Sequence, residues 1–166
     1  MPTRLVVADT GPLNYLVLIE AVDLLPKLFE QIWIPQAVFD ELAHLDAPIL
    51  VRAFVANRPP WLEVRPNPPQ SSDNADEAML DDGERAAIVL AASFGAELIL
   101  MDDRAGVSAA HRRGLTVTGT LGVLDLAARR GLLDLESAFA KLKVTNFRYP
   151  PEIMAALLAQ HRKATE

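Results

Sequence analysis

Short apolar runs alternate along the chain with longer stretches whose apolar residues recur at helical spacing. The runs are typical of buried strands, and the longer stretches predict helices. We predict strands at residues 5–8, 32–34, 61–64, 97–101 and 115–118. We predict helices at residues 13–19, 23–30, 35–43, 49–57, 85–94, 105–113, 121–130, 135–142 and 151–161. This alternation favours an α/β fold with three layers, α/β/α, around a mainly parallel central sheet.

The length of 166 residues favours one domain over residues 1–166. Residues 66–78 are rich in proline, serine and acidic residues and poor in apolar ones, which predicts a mobile surface loop. Residues 131–166 are predicted to form a helical C-terminal segment. No second domain boundary is indicated.

Composition excludes several classes of protein. The chain has no cysteine, so disulfides, thiolate catalysis and zinc sites with cysteine ligands are excluded. No apolar run reaches the roughly 20 residues that a membrane span needs, and the N-terminus does not have the pattern of a signal peptide. We therefore expect a cytoplasmic protein without membrane segments.

Charge is unevenly distributed along the chain. Residues 1–103 hold 6 Lys and Arg against 17 Asp and Glu, whereas residues 104–166 hold 10 against 5, giving net charges of -11 and +5. The acidic part argues against non-specific nucleic-acid binding by its surface, and the basic part allows a phosphate-facing flank. A solvated helical surface would explain the asymmetry equally well.

Carboxylates stand where the first and fourth predicted strands end. Asp9 follows the run Leu5–Ala8 and precedes Gly11-Pro12, a typical helix start. Asp102 and Asp103 follow the apolar run that ends at Met101. The carboxyl ends of parallel strands share one sheet edge, where open α/β folds place their chemistry. The alternative for each acid is a role only as the cap of the next helix, but one cap needs only one of the Asp102–Asp103 pair.

Two glutamates lie on neighbouring predicted helices. Glu84 follows Asp81 at the spacing of a capping box, so its role could be purely structural. Glu41 lies beside the apolar stripe Val38, Leu42 and Leu45, although a helical glutamate is usually only solvated. Acids gathered in one crevice repel one another unless cations neutralise them, and Mg²⁺ or Mn²⁺ prefers oxygen ligands. Such ions activate water and clamp phosphodiesters, which indicates nuclease chemistry.

These residues carry a family likeness: the chain resembles the PIN-domain ribonucleases, which include the VapC-type toxins. The likeness covers about residues 4–130, and within the superfamily it is nearest to a poorly characterised subgroup. The matching segments are Val6–Leu13, Ile34–Leu42, Leu80–Ile88, Leu100–Arg104 and Val117–Gly122.

The resemblance implies roles for particular residues. The catalytic acids would be Asp9, Glu41, Glu84 and Asp103, and the metal ligands would come from Asp9, Glu84, Asp102 and Asp103. The fourth acid of the family falls at Asp102 or Asp103; relatives often have Thr-x-Asp there, which favours Asp103 and puts Met101 in place of the threonine. Thr10 and Thr120 would supply supporting hydroxyls instead.

The resemblance also implies a function. It predicts an endoribonuclease that depends on Mg²⁺ or Mn²⁺ and acts as the toxin of a type II toxin–antitoxin pair. RNA would be the substrate, a small antitoxin protein the partner, and a homodimer the oligomeric state. The alternative is a PIN-like module that binds nucleic acid or protein without catalysis, against which the full set of acids argues.

Overall fold

The fold was determined as a computed structural model that describes residues 4–69 and 77–165. The strands are β1 (Leu5–Ala8), β2 (Gln31–Pro35), β3 (Leu62–Arg65), β4 (Leu98–Leu100) and β5 (Val117–Thr118). The first helices are α1 (Thr10–Leu18), α2 (Leu25–Leu28), α3 (Gln36–Ala43), α4 (Ile49–Ala56) and α5 (Asp82–Ser93). The later helices are α6 (Arg104–Arg112), α7 (Thr120–Arg129), α8 (Leu135–Val144) and α9 (Pro151–Thr165). Short 3-10 helices cover Val22–Leu24 and Glu77–Met79.

The strands form one parallel sheet in the order β3-β2-β1-β4-β5. The chain therefore builds the sheet outward in one direction from β1 to β3, then returns to the other side of β1 for β4 and β5. At such a reversal the loops after the two central strands separate and leave a crevice at the carboxyl edge. Here the crevice lies between β1 and β4, directly above Asp9 and Asp102.

Side chains of the central strand alternate between two cores. Val6 and Ala8 of β1 belong to the core that contains Leu13 of α1 and Val123 of α7. Val7 faces the opposite core, with Ile88 of α5 and residues of α6. Because successive strand residues point to opposite faces, both faces of β1 are covered by helices. This confirms the predicted three-layer α/β/α architecture with a parallel central sheet.

Some element ends differ from the predictions. Helix α1 begins at Thr10 directly after Asp9, and β4 ends at Leu100, before Met101. Helix α3 ends at Ala43, so Leu45 is not part of a buried stripe and is 82% exposed. Residues 70–76 of the predicted mobile loop lie outside the described residues. None of the helices in the described part of the chain is both long and apolar enough to cross a membrane.

Candidate active site

Carboxylates from separate segments line one cavity of about 990 Å³ at the carboxyl edge of the sheet. The sequence-predicted acids all lie on it, and so does an acid that was expected only as a helix cap, Asp81. The acids that line the cavity are Asp9, Glu41, Asp81, Glu84, Asp102 and Asp103. The crossover between β1 and β4 thus brings together residues that are up to 94 positions apart in the chain.

Asp9 occupies the N-cap position of α1 but its side chain makes no capping hydrogen bond. The residue is only 6% exposed, and its Oδ1 atom is buried without a hydrogen-bond partner among the described residues. Burial, together with the nearby Asp81, Glu41 and Asp102 charges, raises the pKa of Asp9 to about 7, although a hydrogen bond from the Thr10 backbone opposes the rise. A buried carboxylate oxygen without a partner is costly. The simple interpretation of Asp9 as a helix cap is therefore not supported.

Glu41 reaches the cavity from α3. The Thr10 hydroxyl donates a hydrogen bond of 2.5 Å to Glu41 Oε2, which joins the start of α1 to α3. Gly83 of α5 lies so close that a Cβ atom there would overlap the Glu41 carboxylate. Burial raises the pKa of Glu41, although the Thr10 hydrogen bond opposes the rise.

Asp102 is held by the first residue of α7. The Thr120 backbone N–H donates to Asp102 Oδ1 at 2.7 Å, and the Thr120 hydroxyl donates to Oδ2 at 2.6 Å. A Cβ atom on Gly119 would stand 2.6 Å from Oδ1, so only glycine allows this approach. Burial raises the pKa of Asp102, and both Thr120 hydrogen bonds oppose that effect.

Glu84 and Asp103 stand on the other side of the cavity. The Asp81 side chain accepts the backbone N–H of Glu84 at 2.8 Å, as the capping spacing predicts. Asp103 caps α6 by accepting the N–H of Gly106 at 3.1 Å. Burial and its acidic neighbours, among them Asp81 and Asp103, raise the pKa of Glu84 to about 8. Burial is the main cause of these raised pKa values, and repulsion between neighbouring acids adds to it at Asp9, Glu41 and Glu84.

The structure gives Asp102 and Asp103 different surroundings. Asp103 is exposed and its carboxylate caps the next helix, whereas Asp102 is half-buried and carries the two bonds from Thr120. Both line the cavity. Since β4 ends before either residue, the alternation of strand side chains does not force them apart.

The oxygen donors that line the cavity are of the kind that a hard cation binds. Carboxylate and hydroxyl oxygens surround the cavity, and the unpartnered Asp9 Oδ1 atom points to a missing partner for this group. Within the described residues, no three Asp, Glu or His side chains converge closely enough to form a ready-made metal site. The mutual repulsion of uncompensated acids is a physical reason for such spreading.

One wall of the cavity was not predicted from the sequence. It consists of Tyr15 from α1 and the segment 146–150 between α8 and α9. The Tyr15 hydroxyl donates to Asn146 Oδ1 at 3.0 Å, and its ring meets Phe147 edge-on with centroids 4.9 Å apart. The sequence does contain a signal for this wall: Phe147 and Arg148 are adjacent in the segment between two predicted helices.

Comparison with known proteins agrees with this geometry. The family model DUF3368, a PIN domain, matches residues 5–163, nearly the whole chain. No curated protein matches the chain.

Proposed function

Because the chain belongs to the DUF3368 family of PIN domains, which are generally nucleases, we propose that it is a divalent-metal-dependent endoribonuclease. The observation that carries the proposal is the buried Asp9 carboxylate, with one oxygen unpartnered, in a cavity lined by five other acids. A cavity of this kind repels a phosphodiester unless cations compensate it. Its donor set matches the preference of Mg²⁺ or Mn²⁺.

Asp9, Glu84, Asp102 and Asp103 are the residues that would hold the ion. When bound, it would supply an activated water and neutralise charge on the phosphodiester oxygens. Thr120 keeps Asp102 oriented, and Thr10 does the same for Glu41. The pKa of about 8 for the Glu84 carboxyl belongs to the metal-free cavity, and binding of the ion would require this group to give up its proton. Asp9, Glu41, Glu84 and Asp103 are thus our candidates for the catalytic acids.

RNA is the proposed substrate. The cavity is lined by two arginines, Arg104 and Arg148, as well as by acids. Cations there would contact phosphates that flank the cleaved bond.

A toxin role in a type II toxin–antitoxin pair is the biological setting we propose, in the cytoplasm and as a homodimer. It rests on the likeness to the VapC-type toxins. The acidic cavity supports it, because it would accept an arginine from a small antitoxin through a charge-assisted hydrogen bond.

The decisive experiment measures RNA cleavage in EDTA and after addition of Mg²⁺ or Mn²⁺. We expect no cleavage in EDTA and recovery with either ion. Asp9→Asn should lower kcat/KM by more than about 100-fold. Loss of a residue that only hydrogen-bonds to a metal ligand already costs roughly 10–100-fold, and Asp9 is proposed to be a ligand itself. Asp40→Asn is the matched control, because Asp40 is exposed on α3 and does not line the carboxylate cavity.

Two results would reject the proposal. The first is folded Asp9→Asn protein that cleaves RNA as fast as the wild type. The second is wild-type protein that binds RNA or a protein partner without turnover in any metal. That second result would favour the alternative, a binding module without catalysis. The observation that supports this alternative is that no three potential ligands converge on a metal site among the described residues.

A further inference from the structure

A second cavity, of about 310 Å³, lies beside the carboxylate cavity and shares a wall with it. The shared residues are Asp102, Phe147, Arg148 and Pro150. Asp102 lines both cavities, so a group held at the carboxylates lies next to the smaller cavity. We refer to these two neighbouring cavities together as the groove.

The smaller cavity differs in chemistry from the larger one. Val107, Val117 and Leu121 give it apolar walls, and His111 adds a polar group at the α6 side. Asp102 is its one carboxylate among the described lining residues. A lining of this kind suits a flat, partly apolar group with a few hydrogen-bonding atoms more than a second cation.

The shared wall joins an aromatic ring to a positive charge. Phe147 is half-buried and is held edge-on by Tyr15, which is itself hydrogen-bonded to Asn146. Arg148 is exposed next to it. Aromatic rings that stack bases, beside cations that contact phosphates, are the common means by which proteins bind single-stranded nucleic acid.

Charges of both signs line the groove. Asp9, Glu41 and Glu84 come from the acidic part of the chain, whereas Arg104 and Arg148 come from the basic part. A phosphate at the junction of the cavities would have the carboxylate cavity on one side and Arg148 beside it. A sugar–phosphate strand with bases complements this arrangement, whereas an acidic peptide lacks the flat group that the apolar cavity would receive.

We propose that the smaller cavity is a nucleobase subsite for single-stranded RNA. The base next to the phosphate at the carboxylates enters it and stacks on Phe147, and Arg148 contacts the phosphate. The inference rests on the proposed ribonuclease function, and it adds a site that reads the substrate beside the bond to be cleaved.

The test measures binding in Ca²⁺, a hard cation that compensates the carboxylates but activates water poorly, and the probes are checked to be intact after each measurement, so that binding does not depend on cleavage. The probes are fluorescent octauridylate and an abasic ribose–phosphate octamer of equal charge. Wild-type protein should prefer octauridylate. Phe147→Leu should weaken octauridylate binding at least about fivefold and leave the abasic octamer unchanged, because base stacking is lost and the backbone contacts remain.

Arg148 provides the second arm. Arg148→Gln should weaken both octamers and reduce the slope of log affinity against log salt by about 0.7, as expected for one lost phosphate contact. Arg58→Gln is the matched control, because Arg58 is exposed and precedes the start of β3, at the opposite edge of the sheet. It should change neither value. Thermal melting of each variant checks that the fold is retained.

Specific outcomes would overturn the subsite. These are equal wild-type affinity for the two octamers, a Phe147→Leu variant of unchanged melting temperature that weakens both alike, or equal binding of an octaglutamate peptide with the same sensitivity to both variants. The last would assign the groove to a protein partner. Octauridylate binding with the expected pattern but no cleavage in any metal would reject the ribonuclease and keep the subsite. RNA cleavage without this pattern of octamer binding would support the ribonuclease and reject the subsite.

Discussion

Ionisation of the buried Asp9 carboxyl group lowers the stability of the folded protein. Its pKa is about 7 in the folded protein against an ordinary value of 3.8, and burial is the main cause. The folded state therefore binds this proton more tightly than the unfolded chain. By linkage, the stability of the metal-free protein falls as pH rises from about 4 to about 7.

This linkage makes a prediction for Asp9→Asn. At pH 8 the metal-free variant should be more stable than the wild type by roughly 1–3 kcal/mol, and the difference should vanish below about pH 4. Urea denaturation at several pH values measures it. Mg²⁺ should stabilise the wild type more than the variant at pH 8. A variant whose stability follows the wild type at every pH would show that the Asp9 carboxylate is not desolvated.

Residue-level chemistry was only partly predictable from the sequence. Asp9, Asp102 and Asp103 could be placed at strand ends because a buried apolar run ends directly before each acid or pair. Which of Asp102 and Asp103 is bound by Thr120 could not be predicted, since Thr120 lies 18 residues from Asp102 on another element. The contacts of Tyr15 with 146–147 are likewise non-local, and no local pattern encodes them.

At the scale of elements, the periodicity located the helices and most of their ends, but α1 and α5 begin at Thr10 and Asp82, before the predicted positions 13 and 85. Val38 and Leu42 of α3 are fully buried as the stripe predicts, yet Leu45 is exposed because the helix has already ended. The helical spacing of apolar residues predicts where a side chain points only for residues that lie within the helix. Strand ends were predicted more closely, because turn residues and acids follow them directly.

The approach of α5 to α3 has a consequence at Gly83. In an ordinary helix, Gly→Ala would stabilise by up to about 1 kcal/mol. Here the new methyl group would overlap the Glu41 carboxylate, which would have to move away and lose its hydrogen bond with Thr10. Gly83→Ala should therefore destabilise by roughly 1–3 kcal/mol instead, and reduce the proposed RNA cleavage. Denaturation and cleavage assays measure the two effects.

A double variant separates the steric effect from a general weakening of α5. Glu41→Asp shortens the acid by one methylene group, so stability should return in Gly83→Ala/Glu41→Asp while cleavage stays low. Additive losses in the two single variants would mean that the contact between Gly83 and Glu41 does not limit the packing of these helices.

At the scale of the molecule, one buried ion pair fixes the segment that leads into α5. Glu77 is 3% exposed, and both of its carboxylate oxygens accept hydrogen bonds from the Arg113 guanidinium at the end of α6. The pair spans 36 residues and lies just before Leu80, Asp81 and the α5 helix that carries Glu84. The pair thus holds the start of α5, which carries Glu84, against the end of α6, the helix that begins directly after Asp103.

Breaking this pair should be expensive because it leaves a buried carboxylate without its partner. Arg113→Ala should destabilise the protein by about 3–5 kcal/mol. Arg130→Ala is the matched control, since both arginines follow the last turn of a helix but Arg130 is exposed, and its loss should cost less than about 0.5 kcal/mol. Glu77→Gln in the Arg113→Ala background should recover part of the lost stability by removing the uncompensated charge.

Equal, small losses of stability in Arg113→Ala and Arg130→Ala would contradict this prediction. They would mean that Glu77 is neutralised by other means and that the start of α5 keeps its position without the ion pair.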